Sequence, residues 1–154
     1  MTLSILGPVD HAGIVYATFR VETQYFGVAA GSVREVLRHQ SCTSVPGVGS
    51  DVSGLINLRG QIVTAIDLRE RIGIPARCPE DGSLHVVIEL EEGPIAVVVD
   101  AVEDVLSLDP ERFERTPSTV PENTRSLIVA IYSLDDRIIQ IIDLGALCSR
   151  HEMA

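Results

Sequence analysis

Along most of the chain apolar and polar positions alternate with a period of two, the signature of strands with one face buried. Ile14-Val15-Tyr16-Ala17-Thr18-Phe19-Arg20-Val21 is rich in β-branched and aromatic residues. Glu22-Thr23-Gln24 breaks that run and Tyr25-Phe26-Gly27-Val28-Ala29 resumes it, which predicts a hairpin. Residues 33–37 read as a third strand, or a short helix leading into one. Residues 54–58 and 62–66 flank the tight turn Arg59-Gly60-Gln61. Asp67 then caps a short helix over 68–72, stopped by Gly73 and Pro75. Residues 76–83 hold Pro79, Asp81 and Gly82 and read as a loop. Beyond it, 84–90 and 95–99 form a hairpin around Glu91-Glu92-Gly93-Pro94, and 102–108 is a strand. Pro110, Pro117 and Pro121 make 109–123 irregular. Residues 127–132 and 137–142 are strands around Asp135-Asp136, and Asp143 precedes a helical turn over 144–147. About ten short strands and two short helices indicate an all-β barrel or sandwich.

The two halves of this pattern repeat each other. Phe19, Val21, Phe26, Val28, Val33, Val36 and Leu37 recur 69 residues later as Ile88, Leu90, Ile95, Val97, Val102, Val105 and Leu106. Leu58, Ile62, Val63, Ile66, Asp67 and Leu68 recur 76 residues later as Leu134, Ile138, Ile139, Ile142, Asp143 and Leu144. The difference between the offsets falls in the Pro-rich loop, where extra length costs little. Five strands per half suit two small barrels, each marginal alone and sharing a core. The expected domain spans 11–148, with one lobe over about 14–75 and another over about 83–148. The N-terminal strand is allowed to cross between them, and 1–10 and 149–154 are read as flexible tails.

What fails to repeat is the better guide to function. Arg59 corresponds to Asp135, and Glu35 corresponds to Asp104. A Glu35–Arg59 ion pair across neighbouring strands of the first lobe is therefore expected, with no equivalent in the second. Arg on a hairpin between apolar strands needs a partner if it is desolvated, whereas an exposed bridge contributes only ~0–1 kcal/mol.

Composition narrows the classes. The chain carries 12 basic and 22 acidic residues, a net charge of −10, with no lysine. Nucleic acid and anionic membrane surfaces need a clustered basic face, which is missing. Cys42, Cys78 and Cys148 have neither CxxC spacing nor an even count, so reduced cytosolic thiols are expected. Residues 1–10 lack the features of a signal peptide, and apolar runs such as 95–99 are too short to span a bilayer.

No catalytic constellation assembles. Gly47-Val48-Gly49 lacks the third glycine and the βα context of a dinucleotide fingerprint. His11, His39, His85 and His151 show no ligand spacing, and His39 and His85 read as surface residues at strand ends. Asp67 and Asp143 read as helix caps, and Glu89, Glu91 and Glu92 as solvated. Neither enzyme activity, nor a cofactor, nor a metal is expected. The alternative is a small β-barrel module or enzyme with a site built from Glu35, Arg59 and Asp100.

Gly54-Leu55-Ile56-Asn57-Leu58-Arg59-Gly60-Gln61-Ile62-Val63-Thr64-Ala65-Ile66-Asp67-Leu68-Arg69 resembles the hairpin G-x-x-N-L-R-G-x-I-x-P-V-x-D-L-R of the CheW-like family, without its proline. Tyr25-Phe26-Gly27-Val28, Val33-Arg34-Glu35-Val36 and Val98-Val99-Asp100-Ala101-Val102 resemble further family segments, though Ala29 replaces the usual Asp. The resemblance covers about residues 15–147. It implies two five-stranded SH3-like barrels around an apolar seam. It also implies a cytoplasmic, non-enzymatic adaptor coupling chemoreceptors to a CheA-type histidine kinase in chemotaxis, or an adaptor of a pilus, gliding or other chemosensory pathway. The partners implied are the kinase's regulatory domain and the receptor's helical hairpin tip. Candidate partner-binding residues are Val33, Glu35, Asn57, Leu58, Arg59 and Gly60.

Overall fold

A computed structural model describes residues 14–38, 42–43, 52–75 and 82–149 of the chain. Strands β1 (Ile14–Val21), β2 (Gln24–Ala29), β3 (Val33–Arg38), β4 (Val52–Leu58) and β5 (Gln61–Asp67) lead into helix α1 (Leu68–Arg71). Strands β6 (Leu84–Leu90), β7 (Gly93–Val99) and β8 (Ala101–Leu108) follow, then helix α2 (Glu122–Arg125), β9 (Ile128–Ser133), β10 (Ile138–Ile142) and helix α3 (Leu144–Ser149). Asp67 caps α1 as its carboxylate accepts from the Arg69 N–H at 2.9 Å, and Asp143 accepts from the Gly145 N–H at 3.0 Å. Within the Pro-rich stretch the structure adds a one-turn 3-10 helix, Pro110–Arg112, and an isolated bridge from Glu114 to Ile131.

The strands form two five-stranded sheets, ordered β8-β1-β2-β10-β9 and β3-β6-β7-β5-β4. The expected division into 14–75 and 83–148, with the N-terminal strand allowed to cross, meets sheets in which β1 does cross and β2, β6 and β7 cross as well. Both β1 and β2 join the strands of the second half, and β6 and β7 join those of the first. The two repeats have exchanged their first hairpins. Advancing each strand of one sheet by five positions in the chain reproduces the order of the other sheet.

The register repeats as well. Phe19 faces Phe26, and 69 residues on Ile88 faces Ile95. Tyr16 faces Leu106, as His85 faces Leu37. The parallel contacts also match, Gln140 beside Phe26 and Thr64 beside Ile95. Apolar alternation alone would leave register free to slip by two residues. Identical register in both sheets therefore supports duplication rather than coincidence of Val- and Ile-rich strands.

Burial explains the exchange. Ile56, Leu58, Val63 and Ala65 fill one barrel, and Tyr132, Ile139 and Ile141 fill the other from equivalent positions. A third and larger cluster joins them. Phe19, Phe26 and Val28 of the first sheet pack there with Ile66, Ile88 and Val97 of the second, closed by Leu68, Leu127 and Leu147. Neither lobe could bury this seam alone.

Candidate partner-binding face

Strand β3 lies at the edge of its sheet, and its pairing with β6 slips between Val33–Ile88 and Glu35–Val87. A bulge of this kind re-aims a side chain, and here it turns Glu35 inward, leaving it 8% exposed. The Glu35 carboxylate accepts two hydrogen bonds from Arg59, Nη1 to Oε2 at 2.6 Å and Nη2 to Oε1 at 2.7 Å. The expected ion pair is present, but not across neighbouring strands. β3 and β4 stand at opposite ends of the sheet order, so the pair spans the line where the curled sheet closes on itself.

The β4–β5 turn presents this arginine. Leu58 pairs with Gln61, and between them Arg59 has φ +54° and Gly60 φ +85°. Two left-handed residues make a type I′ hairpin, which suits Gly but strains Arg. Asn57 Oδ1 accepts from the Gly60 N–H at 2.9 Å and holds the turn. The Arg59 side chain is 66% exposed, whereas that of Glu35 is 10% exposed. A strained, exposed guanidinium gripped along one edge by an inward carboxylate keeps its remaining donors toward solvent. The Arg59 hydrogen bonds pull the Glu35 carboxyl below the ordinary carboxylate range, outweighing burial, which acts upward. Glu35 in turn raises the Arg59 pKa.

The other candidate residues divide. Asn57 and Gly60 are exposed, beside Arg59. Val33 is half-buried against the shared core. Leu58, 8% exposed, packs into the barrel, so it anchors the turn rather than offering a surface.

The second lobe carries the same frame with its charges rearranged. Asp104, the counterpart of Glu35, lies at the equivalent bulge and pairs with Arg137 at 3.2 Å. Arg137 corresponds to Gln61 rather than Arg59, and its guanidinium lies over the Tyr25 ring, 5.1 Å from the centroid. Its side chain is 17% exposed. Where the first lobe shows Arg59-Gly60, the second shows Asp135-Asp136. The edge pairs are also reversed in sign. Arg20 meets Glu103 at 3.5 Å, and at the equivalent positions Glu89 meets Arg34 at 3.5 Å.

An open groove of about 710 Å³ adjoins this second turn, lined by Tyr25, Leu134, Asp135, Asp136, Arg137 and Ile138 among others. Sequence reasoning missed it, although the acidic pair between apolar strands signalled a departure from the first repeat. Exposed apolar residues occur at the same position of both lobes, Ile62 at 61% and Ile138 at 52%.

Asp100 belongs to a separate cluster. Its carboxylate accepts from Arg69 Nε and Nη2, both at 2.8 Å, and from the Glu22 N–H at 2.7 Å. Arg69 also contacts the Glu22 carboxylate and donates to the Pro75 carbonyl at 3.1 Å. A site combining Asp100 with Glu35 and Arg59 thus finds no support in these contacts. His85, read from sequence as a surface residue, is fully buried on β6, with Nε2 4.0 Å from Cys42 Sγ. It occupies the position of Tyr16 and fills core space the pattern did not mark as polar. Burial pushes the half-buried Cys42 thiol up, which keeps it protonated. His11, His39, His151, Cys78 and the Gly47–Gly49 loop lie outside the described residues, and the side chain of Cys148 is likewise not described. Among the described residues no group of three metal-ligating side chains converges, and no helix is long and apolar enough to cross a membrane.

The site thus consists of two duplicated five-stranded sheets with exchanged hairpins, sharing a seam and presenting unlike charged turns. The chain belongs to the CheW-like domain family, whose model matches residues 15–152. It is 33% identical over 134 residues to a probable chemotaxis protein CheW of Rhizobium etli, covering 87% of this chain and 86% of that one. It is 29% identical over 132 residues to the chemotaxis protein CheW of Bacillus subtilis, covering 86% and 85%. Among solved structures it is similar to the scaffolding protein TtCheW of Thermoanaerobacter tengcongensis, with a TM-score of 0.74 and 30% identity, covering 85% of this chain and 89% of that one.

Proposed function

We propose that this protein is a non-enzymatic chemotaxis scaffold that couples chemoreceptors to a CheA-type histidine kinase from the cytoplasmic side of a receptor array. Family membership over nearly the whole chain supports the adaptor role. The observation that carries the site assignment is the exposed Arg59 guanidinium, held in a left-handed turn by a nearly buried Glu35. A turn that needed only to close would carry Asn or Gly there. An arginine kept at that cost suits a partner that accepts its free donors, a carboxylate or a helix-end carbonyl. In this reading Glu35 positions the fork, Asn57 and Gly60 set the turn, Val33 lines the adjoining edge strand, and Leu58 anchors the hairpin. The kinase's regulatory domain and the receptor's hairpin tip are the partners proposed. The unlike second lobe, with Asp135, Asp136 and the groove beside Ile138, offers a different contact, as a non-self-complementary assembly requires.

The deciding experiment is co-sedimentation of this protein with receptor-bearing membranes and a CheA-type kinase, wild type against Arg59→Gly. Glycine relieves the left-handed strain, so the fold should persist while kinase recruitment drops at least roughly tenfold. Wild-type recruitment by a folded Arg59→Gly protein would remove Arg59 from the recognition surface.

A further inference from the structure

The chain passes between the two sheets at two equivalent points, and the structure treats them differently. The first crossing, from β2 to β3, is the one-turn 3-10 helix Ala30–Ser32. The second, from β7 to β8, passes through Asp100 alone. At the second crossing Asp100 is tied by Arg69 and by the Glu22 N–H, and its own N–H donates to the Arg20 carbonyl at 3.0 Å. The duplication gives the counterparts of this cluster at the first crossing. Asp100 corresponds to Gly31 and Arg69 to Gly145, so the ionic tie has no equivalent there. Gly31 is exposed, and a side chain added to it would meet nothing within 4 Å.

The two strands these crossings feed share one frame. β3 and β8 are both edge strands, each pairing with one neighbour in equivalent register and each bulged at the same place. Each carries one acid tied to an arginine from a hairpin turn, Glu35 to Arg59 and Asp104 to Arg137. Each makes one ion pair of opposite polarity to the other's with the adjoining strand. What separates them is the tie at the entry, together with a hydrogen bond from the Thr18 hydroxyl to the Asp104 carbonyl on β8 that Val87 cannot supply to β3. The acid–arginine pair differs too, bidentate and nearly buried at Glu35 on β3 but a single contact from an exposed Asp104 on β8.

We infer that the Asp100–Arg69–Glu22 cluster is a fixed pin at one crossing, and that the Ala30–Ser32 crossing, which has a local Val33 N–H to Ala30 carbonyl hydrogen bond but no ionic tie, is a compliant joint that lets edge strand β3 open or shift locally. Local openings draw on segments with few ties, and a segment that repositions on docking belongs to this class. Because β3 carries Val33 and Glu35, the joint places adjustability in the strand next to Arg59, whereas β8 is held rigid. The inference concerns the fold itself and stands whether or not those residues contact a partner.

Amide hydrogen exchange of the full chain, read by NMR, tests it. Amides of residues 31–34 should exchange at least roughly tenfold faster than their counterparts at 100–103, after correction for intrinsic rates. Arg69→Ala should accelerate 100–103 toward the rate of 31–34 and leave 31–34 unchanged. Grafting the pin, Gly31→Asp with Gly145→Arg, should slow 31–34 by a similar factor. Asp100→Asn, which keeps the size of the side chain, replaces Arg69→Ala if the latter does not fold. Equal wild-type exchange at the two crossings would overturn the inference. So would a pin variant that accelerates both crossings alike, which would mark the cluster as a general stabiliser.

Discussion

Removing Asp100 should be among the most damaging polar substitutions in the described part of this chain. Its side chain is 3% exposed and that of Arg69 is 13% exposed, so little solvent screens the pair. The carboxylate accepts three hydrogen bonds, two from the guanidinium and one from the Glu22 N–H. Truncation to alanine leaves the guanidinium without its principal counter-charge and strands that N–H. Breaking a buried pair in this way costs about 3–5 kcal/mol. Arg69 keeps Glu22, but that carboxylate is about half exposed and compensates weakly. A net loss near the lower end, about 3 kcal/mol, is expected, which for a domain of this size lowers Tm by about 6–12 °C. Arg69→Ala should cost a similar amount, because it takes the principal counter-charge from a nearly buried Asp100 carboxylate. Urea unfolding followed by circular dichroism measures both losses. Deficits under about 0.5 kcal/mol for both variants, as for exposed surface pairs, would refute the reasoning.

Three further outcomes are expected. The folded pKa of Glu35 is lowered, so its ionic contribution is complete above the ordinary carboxylate range and lost as pH falls through the lowered value; Glu35→Gln should therefore flatten the acid side of a urea-midpoint profile, from the ordinary carboxylate range downward. Burial raises the pKa of Asp67, its largest cause, which opposes folding at neutral pH and is relieved on acidification; Asp67→Asn should remove that acid-side gain while keeping the cap, seen in the same profile. Gly54 has φ +143°, and a Cβ there would run into the Thr43 carbonyl, so Gly54→Ala should cost roughly 2–4 kcal/mol in chemical denaturation.

The strands were legible because period-two alternation and turn residues mark them locally, and the duplication was legible because both offsets are constant over many apolar positions. Of the hairpin exchange, only a crossing of the N-terminal strand was allowed for. Whether β1 pairs with β8 or with a strand of its own repeat depends on which arrangement buries Phe19, Phe26 and Ile88 together, a non-local property that alternation does not encode. The Glu35–Arg59 pair was found because it broke the repeat, but its route across the closing edges of the barrel needed the sheet order. The Asp104–Arg137 pair went unseen for a related reason. A fixed offset compares only aligned positions, and here the arginine had moved two residues along the hairpin, from the place of Arg59 to that of Gln61. His85 was misplaced because a polar letter in an apolar strand looks like a strand end until its neighbours are known.

The rearranged charges bear on how such a molecule avoids binding itself uselessly. Two identical barrels around a pseudo-twofold seam would display the same patch twice, and a self-complementary patch closes into symmetric pairs. Here the frame is kept to the register while the charged positions diverge. An exposed arginine stands where the other lobe has two aspartates, the edge pair Arg20–Glu103 becomes Glu89–Arg34, and one arginine is folded down over Tyr25. None of these changes disturbs the apolar positions that hold the sheets together, so the surfaces could diverge at little cost to the fold. The divergence also reaches inside, at the crossing, where Asp100 and Arg69 stand against Gly31 and Gly145, and in the cores, where buried His85 stands against Tyr16 and buried Arg71 against Leu147. On the inference drawn above, the asymmetry at the crossing also sets how firmly each edge strand is held. The two lobes in any case display edge ion pairs of opposite polarity on one common frame, so a surface that fits one edge does not fit the other.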